Sequence, residues 1–319
     1  MIGRWKRELS VAAAFLALLA VLAVWAPRFY AGDELKAIAV RSAPVLIAAV
    51  GMTLVVLARH IDISVGAQFS AAGVIAGLLA KSGLPMPVVA LVTILAGALM
   101  GAVNGGLVAG FGLPSIVATL ATFFIFQEGL RWARQGESVK GLPEDFQWFG
   151  LGQAAGEIVV LAVAAVVFAA FLWGLRHLAG GRALYAVGSD AEAARLAGIR
   201  PGRVVFAAFT ALGALIGLAA LVNAARFPQV DPNAGKGLEM QVVAAVVVGG
   251  VAISGGRGRL VGVLAGVLLL LSLSSALTFL RISAEWEKAV QGAIILVAVA
   301  SDAINLRSRR HARPGLAPA

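Results

Sequence analysis

The chain has 319 residues, of which 60% are hydrophobic and only 13% are charged. Soluble domains carry about 25% charged residues, so this composition excludes an ordinary soluble protein and indicates an integral membrane protein. Cysteine is absent and only three histidines occur, far apart, which excludes disulfides and disfavours a zinc site. The net charge of +10 is explained by an uneven distribution of arginine between alternate loops, not by nucleic-acid binding.

Long apolar runs predict about ten membrane-spanning helices. The first run lacks the small-residue cleavage pattern of a signal peptide, so we interpret it as a retained helix. The sequence therefore predicts an all-α, polytopic transmembrane bundle within a single domain, residues 1–319. The expected spans are 9–26, 38–58, 63–80, 84–110, 113–130, 158–175, 204–222, 240–254, 260–280 and 286–304.

The loop charges predict the orientation of this bundle. Segments on the same side as the N-terminus carry most of the arginines and few acidic residues, whereas the charges on the other side balance. Basic residues accumulate in cytoplasmic loops. We therefore expect a cytoplasmic N-terminus (1–8), a membrane bundle (9–304) with a cytoplasmic loop (180–203), and a cytoplasmic tail (305–319).

The loop 180–203 is the longest polar interruption with a clearly positive charge. Ser189 and Asp190 predict the N-cap of a short helix, Gly198 predicts its end, and Pro201 is expected to prevent the helix from resuming. A structured loop between membrane spans needs a stabilising partner. The sequence therefore predicts that another protein docks on this loop.

Glycines recur at intervals of four along several predicted spans, and such spacing lets helix backbones approach closely in lipid. We therefore expect a compact bundle. The repeating sets are Gly73 and Gly77; Gly97, Gly101 and Gly105; Gly106 and Gly110; Gly213 and Gly217; and Gly258, Gly262 and Gly266.

The spans contain no constellation typical of an enzyme. Arg41, Glu128 and Asp302 are expected near span ends, which gives little support to an ion relay through the membrane. Residues 233–237 (NAGKG) lack the leading glycine and the Ser or Thr of a nucleotide-binding loop. We therefore expect no ATP hydrolysis, cofactor or metal ion in this chain.

Uncharged polar side chains within the spans favour a pathway for a polar but uncharged solute. For any single residue, a hydrogen bond between helices is the stronger alternative. The candidates for the translocation path are Gln68, Asn104, Thr119, Thr122 and Asn223; Thr53, Ser70, Thr93 and Ser115 have the same character.

Four segments in order resemble the permease subunits of bacterial ABC importers for monosaccharides, the ribose, xylose, arabinose and rhamnose class. The resemblance covers about 9–302, and the segments are 60–66 (HIDISVG), 101–105 with 114–120 (GAVNG, PSIVATL), 181–199, and 237–258. His60 replaces the glycine usual in that family. The motif residues are Asp62, Ser64, Gly66, Pro114, Gly249, Gly250, Gly255 and Gly256.

The resemblance implies a multi-pass protein of the bacterial inner membrane, in contact with lipid, that forms a dimeric pore with a second copy or a paralogue. It implies an ATPase subunit docked on 180–203 and a periplasmic sugar-binding protein that delivers solute. The implied ATPase-coupling residues are Gly188, Ser189, Asp190, Glu192, Arg195 and Gly198. Residues 136–143 and 280–286 look closest to the branch for autoinducer-2 and rhamnose.

Two other classes of function remain open at this point. An ion-coupled secondary transporter would move solute without partners, and an intramembrane enzyme would need a reactive polar cluster. The resemblance favours an importer subunit that is energised by a separate ATPase.

Overall fold

The computed structural model describes residues 26–280 continuously, together with isolated positions within 16–24 and 283–296. Apart from those positions, the expected first span (9–26) and tenth span (286–304) lie outside the described residues. Within the described part, one isolated antiparallel bridge, Val139–Val230, is the only extended pairing. The prediction of an all-helical protein is confirmed.

Between residues 26 and 280 the chain forms ten α-helices and two short 3₁₀ turns, Pro27–Tyr30 and Gln147–Gly150. In chain order the α-helices are α1 Gly32–Leu57, α2 Val65–Lys81, α3 Met86–Ala109, α4 Ser115–Arg134, α5 Gln153–His177, α6 Ala179–Ser189, α7 Ala191–Leu196, α8 Pro201–Ala224, α9 Leu238–Val248 and α10 Leu260–Phe279.

Five of these helices, α1, α3, α5, α8 and α10, are long and apolar enough to cross a membrane. α2 and α9 are apolar but shorter, with 17 and 11 residues. The helix predicted over 240–254 is shorter than expected and covers only Leu238–Val248. α9 stops at Val248 because Gly249 caps it and Gly250 adopts a positive φ of 86°.

Helix α1 is the centre of the bundle. Its most apolar window is 94% buried, and it packs against α5, α8, α9 and α10. Arg41 lies in α1 immediately before its continuously buried stretch, residues 42–57. Its guanidinium donates to Glu34 Oε1 at 2.8 Å and to Ser275 Oγ of α10 at 3.1 Å, so the charge is paired within the protein.

Among the described helices, α3 and α8 share the most extensive contact, and glycines make their close approach possible. A Cβ atom on Gly101 would collide with the carbonyl of Phe209 and lie 3.0 Å from the Cα of Gly213. Gly97 stands in the same relation to Gly213 and Gly217. The predicted role of the four-residue spacing is confirmed here. Among the described residues, none from another helix lies within 4 Å of a Cβ atom at Gly106, so its spacing to Gly110 serves no helix contact in this part of the chain.

Candidate functional site

The predicted short helix of the cytoplasmic loop is present as α7. Asp190 is its N-cap, and its Oδ1 accepts the N–H groups of Glu192 and Ala193 at 3.0 Å each. Gly198 follows the helix at a φ of 82°. Glu192 and Arg195 form an exposed ion pair at 2.6 Å, so α7 presents charged groups on its outer face.

Two features of this loop differ from the prediction. A second helix, α6, precedes α7, because burial of Leu184 and Val187 outweighs the poor helix propensity of the glycines near its start. Pro201 does not prevent a helix from resuming. It is the first residue of α8, a position where proline's missing N–H costs nothing.

The end of α6 meets two other chain segments in a junction built almost entirely from backbone. The N–H of Gly256 donates to the carbonyl of Leu57, at the end of α1, at 2.9 Å. A Cβ atom on Gly188 would collide with that carbonyl and lie 2.5 Å from the Gly256 nitrogen. Gly255 packs on the side chain of Arg59, and a Cβ atom on Gly255 would lie 2.9 Å from the carbonyl oxygen of Gly188. We call residues 57–59, 188–189 and 255–256 the glycine junction.

Conformation and side chains reinforce the glycine junction. Gly255, Gly256 and Arg59 have positive φ values of 77°, 66° and 69°, a region that favours glycine. The hydroxyl of Tyr185 on α6 donates to the carbonyl of Gly258 at 2.9 Å, and burial raises the pKa of this phenol. The sequence assigned Gly188 and Gly255–Gly256 to separate motifs, and the structure brings them into contact.

The turn after the glycine junction carries a buried carboxylate, Asp62, with 0% exposure. Its Oδ1 accepts the N–H of Ser64 at 2.8 Å and the Ser64 hydroxyl at 2.6 Å. Its Oδ2 accepts the amides of Gln68 at 3.1 Å and Asn104 at 3.0 Å. Among the described residues no basic side chain pairs with Asp62, so these four donors compensate its burial.

The same turn is fastened to α4. The N–H of Ile63 donates to Thr119 Oγ1 at 3.0 Å, and the N–H of Ile61 donates to Ser115 Oγ at 3.4 Å. The turn therefore joins α2, α3 and α4 through polar side chains. We call this set the Asp62 network; it consists of Asp62, Ser64, Gln68, Asn104, Ser115 and Thr119.

The structure gathers four of the five path candidates at or beside this network. Gln68, Asn104 and Thr119 belong to it, and the Thr122 hydroxyl donates to the carbonyl of Thr119 at 3.2 Å. Asn223 lies apart, at the end of α8, where it accepts a hydrogen bond from Arg226 at 3.4 Å and lines a cavity of about 440 Å³. Sequence reasoning treated Asp62 as a charge in a cytoplasmic turn and missed its burial. The Asp-x-Ser spacing is the one local signal, since it forms an Asx-turn.

Three further motif residues, Pro114, Gly66 and Gly249, lie where the properties of proline and glycine fit the local backbone. Pro114 immediately precedes α4 at a φ of −55°. Gly66, in the first turn of α2, faces the carbonyl of Gly235 and the carboxyl of Glu239. Gly249 lies against the backbone of α10, where a Cβ atom would be 2.5 Å from the Cα of Val263.

The sequence matches, over residues 35–299, a family described as the permease component of the branched-chain amino acid transport system. The ribose import permease protein of Escherichia coli K12 is 33% identical over 302 residues, 93% of this chain and 94% of the relative. The autoinducer 2 import system permease protein of Enterobacter sp. strain 638 is 34% identical over 315 residues, 97% and 90% of the two chains. No solved structure matched the chain.

The chain therefore belongs to this family of transport permeases. It is a permease subunit of an ABC importer and a multi-pass protein of the inner membrane, and ATP is hydrolysed by a separate subunit. The resemblance inferred from the four sequence segments is confirmed.

Proposed function

We propose that this permease imports a monosaccharide or a similar sugar-like solute, driven by an ATPase subunit that docks on α6 and α7. The relatives that cover 93% and 97% of this chain are named for ribose and autoinducer 2, and this favours a sugar-like solute over the amino acids in the family description. Rhamnose is among the monosaccharides that we propose as solutes of this permease.

The observation that carries this proposal is the glycine junction. α7 exposes an ion pair to its surroundings, Glu192–Arg195, with side-chain exposures of 65% and 67%. α6 connects it directly to the end of the central helix α1, through Gly188 and Leu57. Because these backbones are closely packed, with no space to absorb a movement, a displacement of α7 by the ATPase would also displace α1.

The Asp62 network extends this route into the bundle. Asp62 is three residues beyond Arg59 in the glycine junction, and its partners lie on α2, α3 and α4. We propose that the turn 58–64 moves with the glycine junction and repositions these helices. The proposed path residues, Gln68, Asn104, Thr119, Thr122 and Asn223, would then change their access to solute.

The wider assembly is also part of the proposal. We propose ten spans in one domain with both termini in the cytoplasm, and a second permease copy or paralogue that completes the pore within the lipid bilayer. The outer loops would receive a periplasmic binding protein loaded with solute. The five long apolar helices and the charge asymmetry of the loops support this arrangement.

One observation favours a second candidate, an ion-coupled secondary transporter. Buried carboxylates inside membrane bundles often mark ion or proton pathways, and Asp62 is such a group. Purified permease in vesicles, without partners, would then accumulate solute along a proton or sodium gradient. The four donors around Asp62 make a structural role the better-supported alternative.

The test of the main proposal is co-purification of the permease from its native membranes. We expect the ATPase subunit to accompany the wild-type protein and to be lost with Arg195→Glu. The matched control is Arg131→Glu, which breaks the exposed pair with Glu128 in α4, at the same i,i+3 spacing. If the ATPase stays bound to the Arg195→Glu variant, α7 is not the docking helix; if no ATPase ever binds, ion coupling becomes the better account.

A further inference from the structure

Two apolar helices, α2 and α9, are too short to cross a membrane without the chain that precedes them. At 1.5 Å per residue, α2 extends about 25 Å and α9 about 16 Å, against a hydrocarbon thickness of about 30 Å. Both are preceded by irregular chain, residues 58–64 before α2 and 225–237 before α9. The first residue of each helix, Val65 in α2 and Leu238 in α9, is buried.

The first turns of these two helices meet. The N–H of Gly235 donates to Ser70 Oγ of α2 at 3.0 Å. A Cβ atom on Gly66 would collide with the carbonyl of Gly235 and with the carboxyl of Glu239 in α9. The absence of a side chain at Gly66 and Gly235 is what permits this approach.

The segment 225–237 reaches this point by running alongside α2. Val230, which is 3% exposed, packs on Gly73 and Gly77 of α2 and pairs with Val139 through backbone hydrogen bonds of 2.9 and 3.1 Å. Five residues later the segment lies against Gly66 at the other end of α2. Residues 225–237 form no regular helix, and this segment turns inward. Irregular backbone at this depth occurs where it is buried or lines a water-filled cavity.

A cavity of about 360 Å³ lies beside this meeting point. This volume is within the range of small-molecule sites. Its wall combines an aromatic ring, two amides and an ion pair. The lining includes Phe123, Gln127, Glu128, Arg131, Asn233 and Lys236.

The chemistry of this lining suits sugar hydroxyls. The amides of Gln127 and Asn233 can each donate and accept hydrogen bonds, as a hydroxyl requires. Phe123 offers an apolar face. The charge of Arg131 is offset by Glu128 at 3.6 Å, which leaves Lys236 as a further donor. None of the five path candidates lines this cavity.

We infer that this cavity is a binding site for a neutral, polyhydroxylated solute, with Gln127 and Asn233 as its hydrogen-bonding residues. The inference rests on the proposed import function and gives it a location. The solute would sit between α4 and the inward segment 225–237, next to the start of α9.

The chain has no cysteine, so a single introduced thiol is the only one in the permease, and its labelling is read on the permease band. The complete importer, with its ATPase and binding protein, carries Gln127→Cys or Asn233→Cys in right-side-out vesicles and reacts with a small maleimide. We expect D-ribose or L-rhamnose, whichever the wild type imports, to slow labelling at both positions several-fold. The control is Gln135→Cys, an exposed amide at the end of the same helix, where labelling is unchanged.

The uptake assay gives the second readout. We expect Gln127→Ala and Asn233→Ala to raise the KM for uptake about tenfold, as loss of a hydrogen bond or two predicts, with ATPase binding intact. The binding site is refuted if the imported sugar does not slow labelling of these thiols and the alanine variants keep the wild-type KM. It is also refuted if the maleimide does not reach the thiols. In both cases the proposed import function is unaffected. If ribose 5-phosphate protects better than ribose, the neutral solute class is wrong. If the wild type imports no neutral sugar, the proposed function itself fails.

Discussion

The glycine junction and the Asp62 network hold neighbouring parts of one turn by opposite means. At the glycine junction, backbones of three segments touch because Gly188, Gly255 and Gly256 have no side chains. In the Asp62 network, hydrogen bonds through polar side chains join the segments. The glycine junction is therefore sensitive to added side-chain atoms, whereas the Asp62 network is sensitive to the loss of a hydrogen-bonding group.

This difference predicts how each region fails. A larger side chain should disrupt the glycine junction, and a truncated or neutralised side chain should disrupt the Asp62 network. Single substitutions in the two regions, with their effects on uptake and thermal unfolding, test this contrast.

Gly188→Val should have the largest effect on uptake. The new side chain would collide with the carbonyl of Leu57, and overpacking of this kind costs about 1–3 kcal/mol or more. We expect solute uptake in cells to be abolished and the thermal unfolding temperature in detergent to fall. Gly180→Val is the matched control in α6, because no described side chain or neighbouring segment lies within 4 Å of a Cβ atom at Gly180. Normal uptake by the Gly188 variant would contradict close packing at the glycine junction.

Asp62→Asn should destabilise the protein strongly without changing its size. The amide NH₂ would face groups that already donate hydrogen bonds, and each unsatisfied buried donor costs about 1–3 kcal/mol. Thermal unfolding measures the loss, with Asp33→Asn, in the exposed first turn of α1, as the control. Stability equal to the wild type would mean that the carboxylate is not the centre of the network.

Thr119→Val should have a moderate effect. The substitution keeps the shape but removes the acceptor for the Ile63 N–H, which costs about 1–2 kcal/mol. Thr210→Val is the comparison, since that exposed hydroxyl bonds only the Phe206 carbonyl of its own helix. Equal unfolding temperatures for the two variants would show that the turn is not fastened through Thr119.

Asp190→Ala should have the smallest effect on overall stability. Loss of an N-cap costs about 1 kcal/mol, and here the cost falls on the six-residue helix α7 alone. We expect the bundle to unfold at an unchanged temperature while the affinity for the ATPase subunit drops, and Asp190→Asn to restore it. An unaltered ATPase affinity in Asp190→Ala would indicate that α7 needs no cap to dock.

Sequence patterns predicted the features that depend on neighbouring residues. Asp190 and Gly198 delimit α7 as expected, and the glycine spacing in α3 and α8 correctly indicated close packing. These signals are local because a cap or a helix face is set by residues a few positions apart.

Features that depend on distant residues were not predictable in this way. The contact of Gly188 with Gly256 joins positions 68 residues apart, and Asn104 reaches Asp62 across 42 residues. The apolar run 240–254 also gave no sign that α9 would stop at Val248, because hydropathy does not register the backbone conformation of Gly250.

Transmission of ATPase motion through the glycine junction is best tested by measuring the number of solute molecules imported per ATP hydrolysed. The importer is reconstituted with its ATPase and binding protein, carrying either Gly188→Ala or the control Gly180→Ala. We expect the importer with Gly188→Ala to hydrolyse ATP but to import little solute. The importer with Gly180→Ala should keep the wild-type ratio of solute imported to ATP hydrolysed. A wild-type ratio in Gly188→Ala would contradict transmission through the glycine junction.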